Sequence, residues 1–344
     1  MDLAFNRGEG CYLYTTDGTR YLDLVAGIAV NSIGHSHPMW VSAMQAQVAR
    51  LAHVSNLYHI PEQAELAAKI ASVAPGDLKR TLFVNSGAEA NEGALKVAVR
   101  YTGRGKVLSA LGGFHGRTAA SLGATGQEVY RNSFEPLISD AFQYYEFGNC
   151  EQIKEMVGPD TAAVMVEPIQ GEGGVRTASK EFFKTVRDVC TDRGALMISD
   201  EVQTGMGRTG AWFGIDNHDV VPDIITMAKG LGGGAPIGAV VTTDEIAAVM
   251  TPGTHGTTFG GNPLVCASGN AVFTVGGVTK APDETWNLRE KKVLTRFDAV
   301  SDSEGRISGT FAAADAAGGA FNGLTIVGSF PDFVPRWGMR IVVR

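Results

Sequence analysis

The sequence predicts an α/β protein built on a mostly parallel β-sheet with helices on both faces. From about residue 81 onward, short and nearly continuous apolar runs alternate with helical stretches. Runs that are apolar on both faces are typical of strands covered on both sides. Polar and glycine-rich clusters follow several of these runs directly, and ligands of such sheets bind beyond the carboxyl ends of the strands. We therefore expect the functional site at that edge of the sheet.

The predicted elements follow one another along the chain. Two strand-like runs around Asp17 and Gly18 predict a hairpin over residues 10–23. Two helical patterns follow, separated by Pro61. The helices are predicted at 39–51, 62–73, 89–101, 180–193 and 244–249, and the sheet strands at 81–84, 106–111, 162–166, 196–199, 224–227 and 239–242.

Composition limits the function classes. The chain has 344 residues, 44% of them hydrophobic, 19% charged, and a formal net charge of -7. Because no basic surface is available to meet phosphates, we expect neither nucleic-acid nor membrane partners. The four cysteines lack metal-ligand spacing, and we predict no metal site. Reduced thiols, together with the lack of a signal peptide or long apolar run, predict a cytoplasmic protein.

The first candidate cluster, 85–88, ends an apolar strand and begins a helix. Free N–H groups at a helix start attract anions, Gly87 permits close approach, and Ser86 adds a hydroxyl, so the cluster could bind phosphate. An ordinary cap and turn is the alternative. The second cluster, 112–117, places Phe114 among glycines, where its ring could lie against a planar ligand, and Arg117 could bind a carboxylate. Here the alternative is a glycine-rich loop with a solvated arginine.

Two further clusters carry ionisable groups. Asp200 and Glu201 end a buried strand, where a carboxylate could act as a base, bind a metal or pair with a protonated ring nitrogen. Lys229 ends the next apolar run, and partial desolvation there would lower its pKa and free its amine as a nucleophile. A solvated turn is the alternative for Lys229. A nucleotide-binding loop is disfavoured, because the Lys-Ser/Thr ending is absent. The loop 256–262 adds two threonines and could hold phosphate or be an ordinary loop.

Taken together, these clusters resemble the class III, subgroup II pyridoxal-phosphate aminotransferases, and within them the acetylornithine aminotransferase group. The resemblance covers about residues 5–273. It rests on long strings in a fixed order, at 21–23, 27–30, 34–38, 55–58, 85–91, 114–118, 166–175, 200–209, 228–234 and 254–263. It implies the fold type I of these transferases, with a seven-stranded sheet, pyridoxal 5'-phosphate as cofactor, and a homodimer with shared active sites.

The resemblance also implies roles for individual residues. Lys229 would hold the cofactor covalently and later shuttle a proton, and Asp200 would keep the pyridine nitrogen protonated. Phe114 would stack on the ring. The expected cofactor contacts are completed by Ser86, Gly87, Ala88, Glu201, Val202, Gln203 and, from the neighbouring subunit, Thr258. For the substrate, Arg117 would hold the carboxylate, Thr257 would touch the substrate, and Glu172 would mask a second arginine until 2-oxoglutarate arrives.

The implied reaction moves the δ-amino group of N2-acetylornithine through the cofactor to 2-oxoglutarate. The products are N-acetylglutamate 5-semialdehyde and glutamate, in arginine biosynthesis. Ornithine, succinylornithine, succinyldiaminopimelate and 4-aminobutyrate remain alternative amino donors. A non-catalytic remnant that binds the cofactor also remains open.

The domain organisation follows from the same resemblance. We expect residues 1–38 to belong to a small domain and 39–275 to form the large cofactor-binding domain. From about Val275 the motif strings stop and the chain becomes rich in glycine and alanine. The expectation for 276–344 is a divergent tail, poorly ordered, from a truncated or frameshifted small domain.

Overall fold

The computed structural model describes residues 2–277, 299–301 and 307–309. Apart from residues 276 and 277 and two short strands, the predicted tail 276–344 lies outside the described residues. The bounds of the predicted domains remain a prediction.

The strands alternate with helices along most of the chain. The strands are β1 (Phe5–Glu9), β2 (Tyr12–Thr15), β3 (Arg20–Leu22), β4 (Arg80–Val84), β5 (Lys106–Ala110), β6 (Phe142–Tyr145), β7 (Thr161–Val166), β8 (Ile169–Gln170), β9 (Arg176–Thr177), β10 (Leu196–Asp200), β11 (Ile224–Met227), β12 (Gly238–Thr242), β13 (Ala299–Ser301) and β14 (Ile307–Gly309). The helices are α1 (Ala26–Ala29), α2 (Pro38–Arg50), α3 (Pro61–Val73), α4 (Gly87–Thr102), α5 (Ala119–Ala124), α6 (Glu128–Arg131), α7 (Cys150–Met156), α8 (Lys180–Arg193), α9 (Asp244–Ala247) and α10 (Pro263–Val275).

The central sheet has seven strands in the order β4-β12-β11-β10-β7-β5-β6. β5, β6, β7, β10 and β11 pair in parallel, whereas β12 is antiparallel to both β11 and β4. The predicted mostly parallel sheet is therefore confirmed. Sequence reading missed one strand, β6, which lies at the sheet edge and is only partly buried. An edge strand of this kind lacks the continuous apolar run that marks the interior strands.

Two hydrophobic cores cover the two faces of the sheet. Successive strand residues point to opposite faces, and within β7 the side chains of Val164 and Val166 join one core while those of Ala163 and Met165 join the other. Helices α3, α7, α8 and α10 contribute to the first core and α4 to the second. This two-sided burial explains why the interior strands have apolar residues on both faces.

The helix limits follow from capping residues. The Ser86 hydroxyl accepts a hydrogen bond from the Glu89 N–H at 3.2 Å, and α4 ends at Gly103, whose φ is +67°. α8 repeats the arrangement with Ser179 at its start and Gly194 at its end. A hydroxyl at the N-cap and a left-handed glycine after the last turn are the preferred ends of a helix. The predicted helices at 39–51, 62–73, 89–101 and 180–193 are confirmed within one or two residues.

The N-terminal part forms a separate antiparallel sheet, β1-β2-β3. The predicted hairpin corresponds to β2 and β3, and its turn contains Gly18 at φ +86°. The segment that follows has positive φ at four successive residues, 26–29. The Asp23 carboxylate accepts hydrogen bonds from the N–H groups of Val25 and Ala26 and so holds this unfavourable conformation. None of the described helices is long and apolar enough to span a bilayer.

Candidate active site

The predicted site residues converge at one end of the central sheet. A cavity of about 460 Å³ opens there, beyond the carboxyl ends of β4, β5, β7, β10 and β11. Parallel strands bring their carboxyl ends to one edge, and so they gather side chains that are far apart in sequence. Nine predicted residues line the cavity: Ser86, Gly87, Ala88, Phe114, Arg117, Asp200, Val202, Gln203 and Lys229.

One wall of the cavity is the start of α4. The first N–H groups of a helix have no acceptor within the helix, so Gly87 and Ala88 present free donors and positive partial charge. A Cβ atom on Gly87 would lie 2.7 Å from Cγ1 and 3.0 Å from Cγ2 of Val202. Only glycine therefore fits between this turn and the loop after β10. The arrangement is suited to binding an anion.

Asp200 is held at the floor of the cavity with 3% of its surface exposed. Its Oδ2 accepts hydrogen bonds from His115 Nδ1 at 2.7 Å and Asn91 Nδ2 at 2.8 Å, and its Oδ1 accepts one from the Val202 N–H at 3.0 Å. Three donors stabilise the anionic carboxylate in spite of burial. Burial disfavours a charged His115, but the hydrogen bond and charge of Asp200, with a smaller contribution from Glu167, outweigh it and raise the pKa of His115.

Lys229 lies beside Asp200 and is partly buried. Its backbone has φ +42°, an uncommon conformation for a residue with a side chain. Burial lowers the pKa of Lys229, against the opposing charges of Asp200, Glu167 and Glu172. A lysine of this kind has a larger fraction of free amine near neutral pH than a surface lysine, and free amine is the nucleophilic form.

The cavity mouth carries a cluster of aromatic and charged groups. The rings of Phe114 and Tyr130 pack edge to face with centroids 5.4 Å apart. The exposed guanidinium of Arg117 lies 4.7 Å from the Tyr130 ring centroid, and the Tyr130 hydroxyl donates to Glu172 at 3.1 Å. Tyr130 therefore brings together a cation and an anion at the rim, although Glu172 itself does not line the cavity.

Glu201 lies outside the cavity, although a cofactor contact is predicted for it. Its carboxylate accepts hydrogen bonds from Ser199, Thr204 and the N–H groups of Gly214 and Ile215. The correction has a simple physical reason. Adjacent residues at a strand end point in opposite directions, so Asp200 and Glu201 cannot both face the cavity.

The two predicted threonines also lie outside the cavity of their own chain. Thr257 Oγ1 accepts from Asn85 Nδ2 at 3.1 Å and from the Gly260 N–H at 3.2 Å. Thr258 is exposed. In the part of the chain that the structure describes, no group of three or more His, Cys, Asp or Glu side chains could hold a metal ion.

Four polar residues of the cavity had no predicted role: Asn85, Asn91, His115 and Glu167. Asn91 lies one helical turn after Gly87 and therefore on the same face of α4. His115 and Glu167 each follow a buried strand directly or within a few residues. Their position relative to the strand ends was a usable signal, because the carboxyl ends of parallel strands share one edge.

Comparison with known proteins is consistent with this geometry. The profile described as aminotransferase class-III matches residues 1–306, which extends beyond the resemblance read from the sequence over about residues 5–273. An acetylornithine aminotransferase of Methanopyrus kandleri is 46% identical over 302 residues, which cover 87% of this chain and 77% of that protein.

Two solved structures extend the comparison. The ornithine aminotransferase of Toxoplasma gondii, described with partial occupancy of PLP at its active site, has a TM-score of 0.76 and 33% identity, covering 80% of this chain and 67% of its own. A taurine:2-oxoglutarate aminotransferase of Bifidobacterium kashiwanohense, in complex with PLP and glutamate, has a TM-score of 0.76 and 30% identity, covering 80% and 68%.

Proposed function

The chain belongs to the class-III aminotransferases, and from this membership we propose that it transfers the δ-amino group of N2-acetylornithine to 2-oxoglutarate by means of pyridoxal 5'-phosphate. The products are N-acetylglutamate 5-semialdehyde and glutamate, and the pathway is arginine biosynthesis. One observation carries the proposal. Lys229, Asp200 and the start of α4 surround a single cavity. A biosynthetic reaction on such small substrates is expected in the cytoplasm.

The cavity suits the chemical groups of this cofactor. The start of α4 offers N–H donors for the phosphate, with the Ser86 hydroxyl beside them. Asp200 offers a carboxylate oxygen for a protonated pyridine nitrogen, and its three hydrogen bonds fix the position of that carboxylate. Phe114 offers a ring face, and Val202 and Gln203 line the cavity near Asp200. The cofactor supplies an electron-accepting ring and an aldehyde that reacts reversibly with amines.

The protein residues then divide the work. The Lys229 amine holds the cofactor and, once displaced by substrate, accepts and returns a proton at the substrate carbon through Nζ. Its lowered pKa supports this role, because only the free amine can accept a proton. Asp200 would accept a hydrogen bond from the ring nitrogen and so favour its protonated form.

The rim residues would bind the substrates. The exposed Arg117 guanidinium can form two parallel hydrogen bonds with a carboxylate, which would leave the distal amine pointing into the cavity. Glu172 is linked to Arg117 through Tyr130. Its proposed role is to mask a second arginine until 2-oxoglutarate arrives. Thr257 would contact the substrate across a subunit boundary.

We further propose that the working form is a homodimer in which Thr258 contributes to the partner's cofactor site. The surface near Thr258 supports this arrangement. Leu57, Tyr58 and Phe259 are 88%, 67% and 60% exposed, and Asn56 joins their two loops by donating to Gly260 O at 2.9 Å. Large apolar side chains grouped at a surface are typical of an interface between subunits.

The test of the reaction uses purified protein and pyridoxal 5'-phosphate. A visible absorbance band should form with the wild type and be lost in Lys229→Ala. N2-acetylornithine and glutamate, added separately, should each convert the band to the amine form, and ornithine should do so more slowly. A band that neither substrate changes would contradict the proposed reaction and would leave a cofactor-binding protein without transaminase activity.

The shared site has an independent test by complementation. Lys229→Ala and Thr258→Ala should each be impaired alone. When the two variants are mixed under conditions that exchange subunits, the mixed dimer contains one site with both Lys229 and Thr258, and activity should be regained. If the mixture shows only the sum of the separate activities, Thr258 does not act across subunits.

A further inference from the structure

Two carboxylates are buried at the cavity floor. Glu167 follows β7 directly and is 5% exposed, and Asp200 ends β10 and is 3% exposed. His115 is also buried, and the charges of both carboxylates act on it. Two buried like charges cannot both ionise without cost, so one of the two is expected to keep a proton.

The hydrogen bonds decide which carboxylate that is. Asp200 accepts from His115, Asn91 and the Val202 N–H, whereas Glu167 accepts only from the Phe114 N–H, at 3.0 Å, among the described residues. Donors stabilise the charged form of a carboxylate, and three outweigh one. Glu167 is therefore the carboxylate whose charged form receives less stabilisation, and the one expected to take up the proton.

One ring nitrogen of His115 lies on the same side of the cavity floor as Glu167. Its Nδ1 faces Asp200, while its Nε2 is buried without a hydrogen-bond partner in the described part of the chain. Both groups border one small space, since a methyl group placed on Gly113 would lie 3.2 Å from His115 Nε2 and 3.5 Å from Glu167 Oε2. The Nε2 atom therefore does not serve as a donor to Glu167, which leaves this carboxyl with fewer donors than Asp200.

The other charged groups around Glu167 are few. Lys229 faces it from the segment after β11, and the buried hydroxyl of Tyr145 lies near it from β6. A negative Glu167 would favour the protonated form of Lys229. A neutral Glu167 removes that effect, so the state of this acid influences how much free amine Lys229 presents.

We propose that Glu167 is a positioning residue that carries a proton below neutral pH and loses it above, so that below neutral pH it adds no negative charge beside Asp200 and does not hold Lys229 in its charged form. Burial, with the charge of Asp200 adding to it, raises the pKa of Glu167 to about 7 against the opposing charges of His115 and Lys229, in agreement with the geometry. The proposal rests on the assignment of the cavity as the cofactor site, but its first test needs no cofactor.

The first test measures the thermal stability of the full chain without added cofactor between pH 5 and 8, in wild type and Glu167→Gln. Because the folded pKa of Glu167 lies above its ordinary value of 4.5, the folded state binds more protons than the unfolded state between these values. Stability is then lost as pH rises through this window. The glutamine variant mimics the neutral acid, and its Tm should gain on the wild type by on the order of 5 °C from pH 5 to pH 8. Parallel pH profiles for the two proteins would refute the proposal.

The second test uses the holoenzyme and follows the pH at which the visible band of the bound cofactor changes. Below about pH 6 Glu167 of the wild type is protonated and neutral, so the visible bands of wild type and Glu167→Gln should match. Above about pH 7 the wild type gains an anion that holds nearby protons, so the midpoint of the variant should lie lower by on the order of one pH unit. If the spectra of wild type and Glu167→Gln differed by the same amount below about pH 6 and above about pH 7, the role of Glu167 would be purely structural and the proposal would be overturned.

Glu172→Gln is the matched control. Glu172 also acts on Lys229, but it is bonded to Tyr130 at the rim and is less buried than Glu167. Its variant should follow the wild type in the stability profile. If Glu172→Gln reproduced the Glu167→Gln profile, the effect would belong to any lost carboxylate and the assignment to Glu167 would be wrong.

Discussion

His115 Nδ1 lies 2.7 Å from Asp200 Oδ2 although the two residues are 85 positions apart in the sequence. Both side chains are almost fully buried, at 1% and 3% exposure. The imidazole supplies one of the three hydrogen-bond donors of the Asp200 carboxylate, and it fixes the direction in which that carboxylate faces the cavity.

Replacement of His115 by alanine should therefore weaken cofactor binding by about tenfold or more, since a hydrogen bond to a charged group contributes about 1.5–3 kcal/mol. The Kd for pyridoxal 5'-phosphate, from absorbance titration, measures this. His218→Ala is the control, because His218 stacks on Phe183 in the core and does not line the cavity. It should lower Tm while leaving Kd unchanged, and an equal loss of affinity in both variants would exclude the specific role of His115.

Gly87→Ala should disrupt the start of α4. The added Cβ would lie 2.7 Å from Val202 Cγ1, closer than such atoms approach in proteins, so the helix start or the loop after β10 must move. We expect at least a tenfold rise in the cofactor Kd, partly restored in the double variant Gly87→Ala, Val202→Ala. Gly105→Ala is the control: its Cβ would meet nothing within 4 Å and its φ is not in the left-handed region, so Kd and Tm should stay near the wild-type values.

Glu201→Gln should destabilise the fold by about 1–3 kcal/mol. The carboxylate accepts from two N–H groups and two hydroxyls, and a glutamine must turn its own NH₂ group toward donors on at least one side. Urea denaturation measures the loss. The exposed Glu155→Gln should change stability by less than about 0.5 kcal/mol. A Glu201 variant as stable as the wild type would mean that the loop 213–215 does not depend on this carboxylate.

Lys229 should react with amine reagents at lower pH than a surface lysine. Burial lowers its pKa, whereas the hydrogen bond and charge of Glu151 raise the pKa of the exposed Lys154. Between the lowered pKa of Lys229 and the ordinary lysine pKa, the unfolded chain binds more protons than the folded chain. The contribution of Lys229 to stability therefore improves as pH rises through that window. Labelling of the two lysines across pH 6 to 11, quantified by mass spectrometry, should show Lys229 modified first in cofactor-free protein. The reverse order would contradict the desolvated-amine interpretation.

Arg117→Lys should raise KM for N2-acetylornithine by about tenfold, because a lysine keeps the charge but cannot form two parallel bonds with a carboxylate. The cofactor Kd should not change, as Arg117 lies at the rim over Tyr130. Steady-state kinetics and the absorbance titration separate the two effects. An unchanged KM would remove Arg117 from the substrate site.

Much of this architecture could be predicted from local sequence. The strands β4, β5, β7, β10, β11 and β12 have apolar residues on both faces, and the helices α4 and α8 have hydroxyl N-caps and glycine ends. Edge strand β6 was missed because it is only half covered. Their strand-end positions made Lys229 and Asp200 candidates, because parallel topology sends every strand end to the same edge. The family resemblance then assigned their roles, and both residues line the cavity.

Local periodicity and chain order were enough to predict the fold class and the edge of the sheet where the cavity lies. The roles of Lys229 and Asp200 came from the family resemblance, because each position taken alone also allowed an ordinary turn or strand end. Contacts between distant segments are visible only in three dimensions: Glu201 turns away into the loop 213–215, Asn91 and His115 donate to Asp200, and Glu167 has a single donor among the described residues. The ionisation of a buried carboxylate depends on desolvation, on nearby charges and on donors from distant segments, and no local pattern records these.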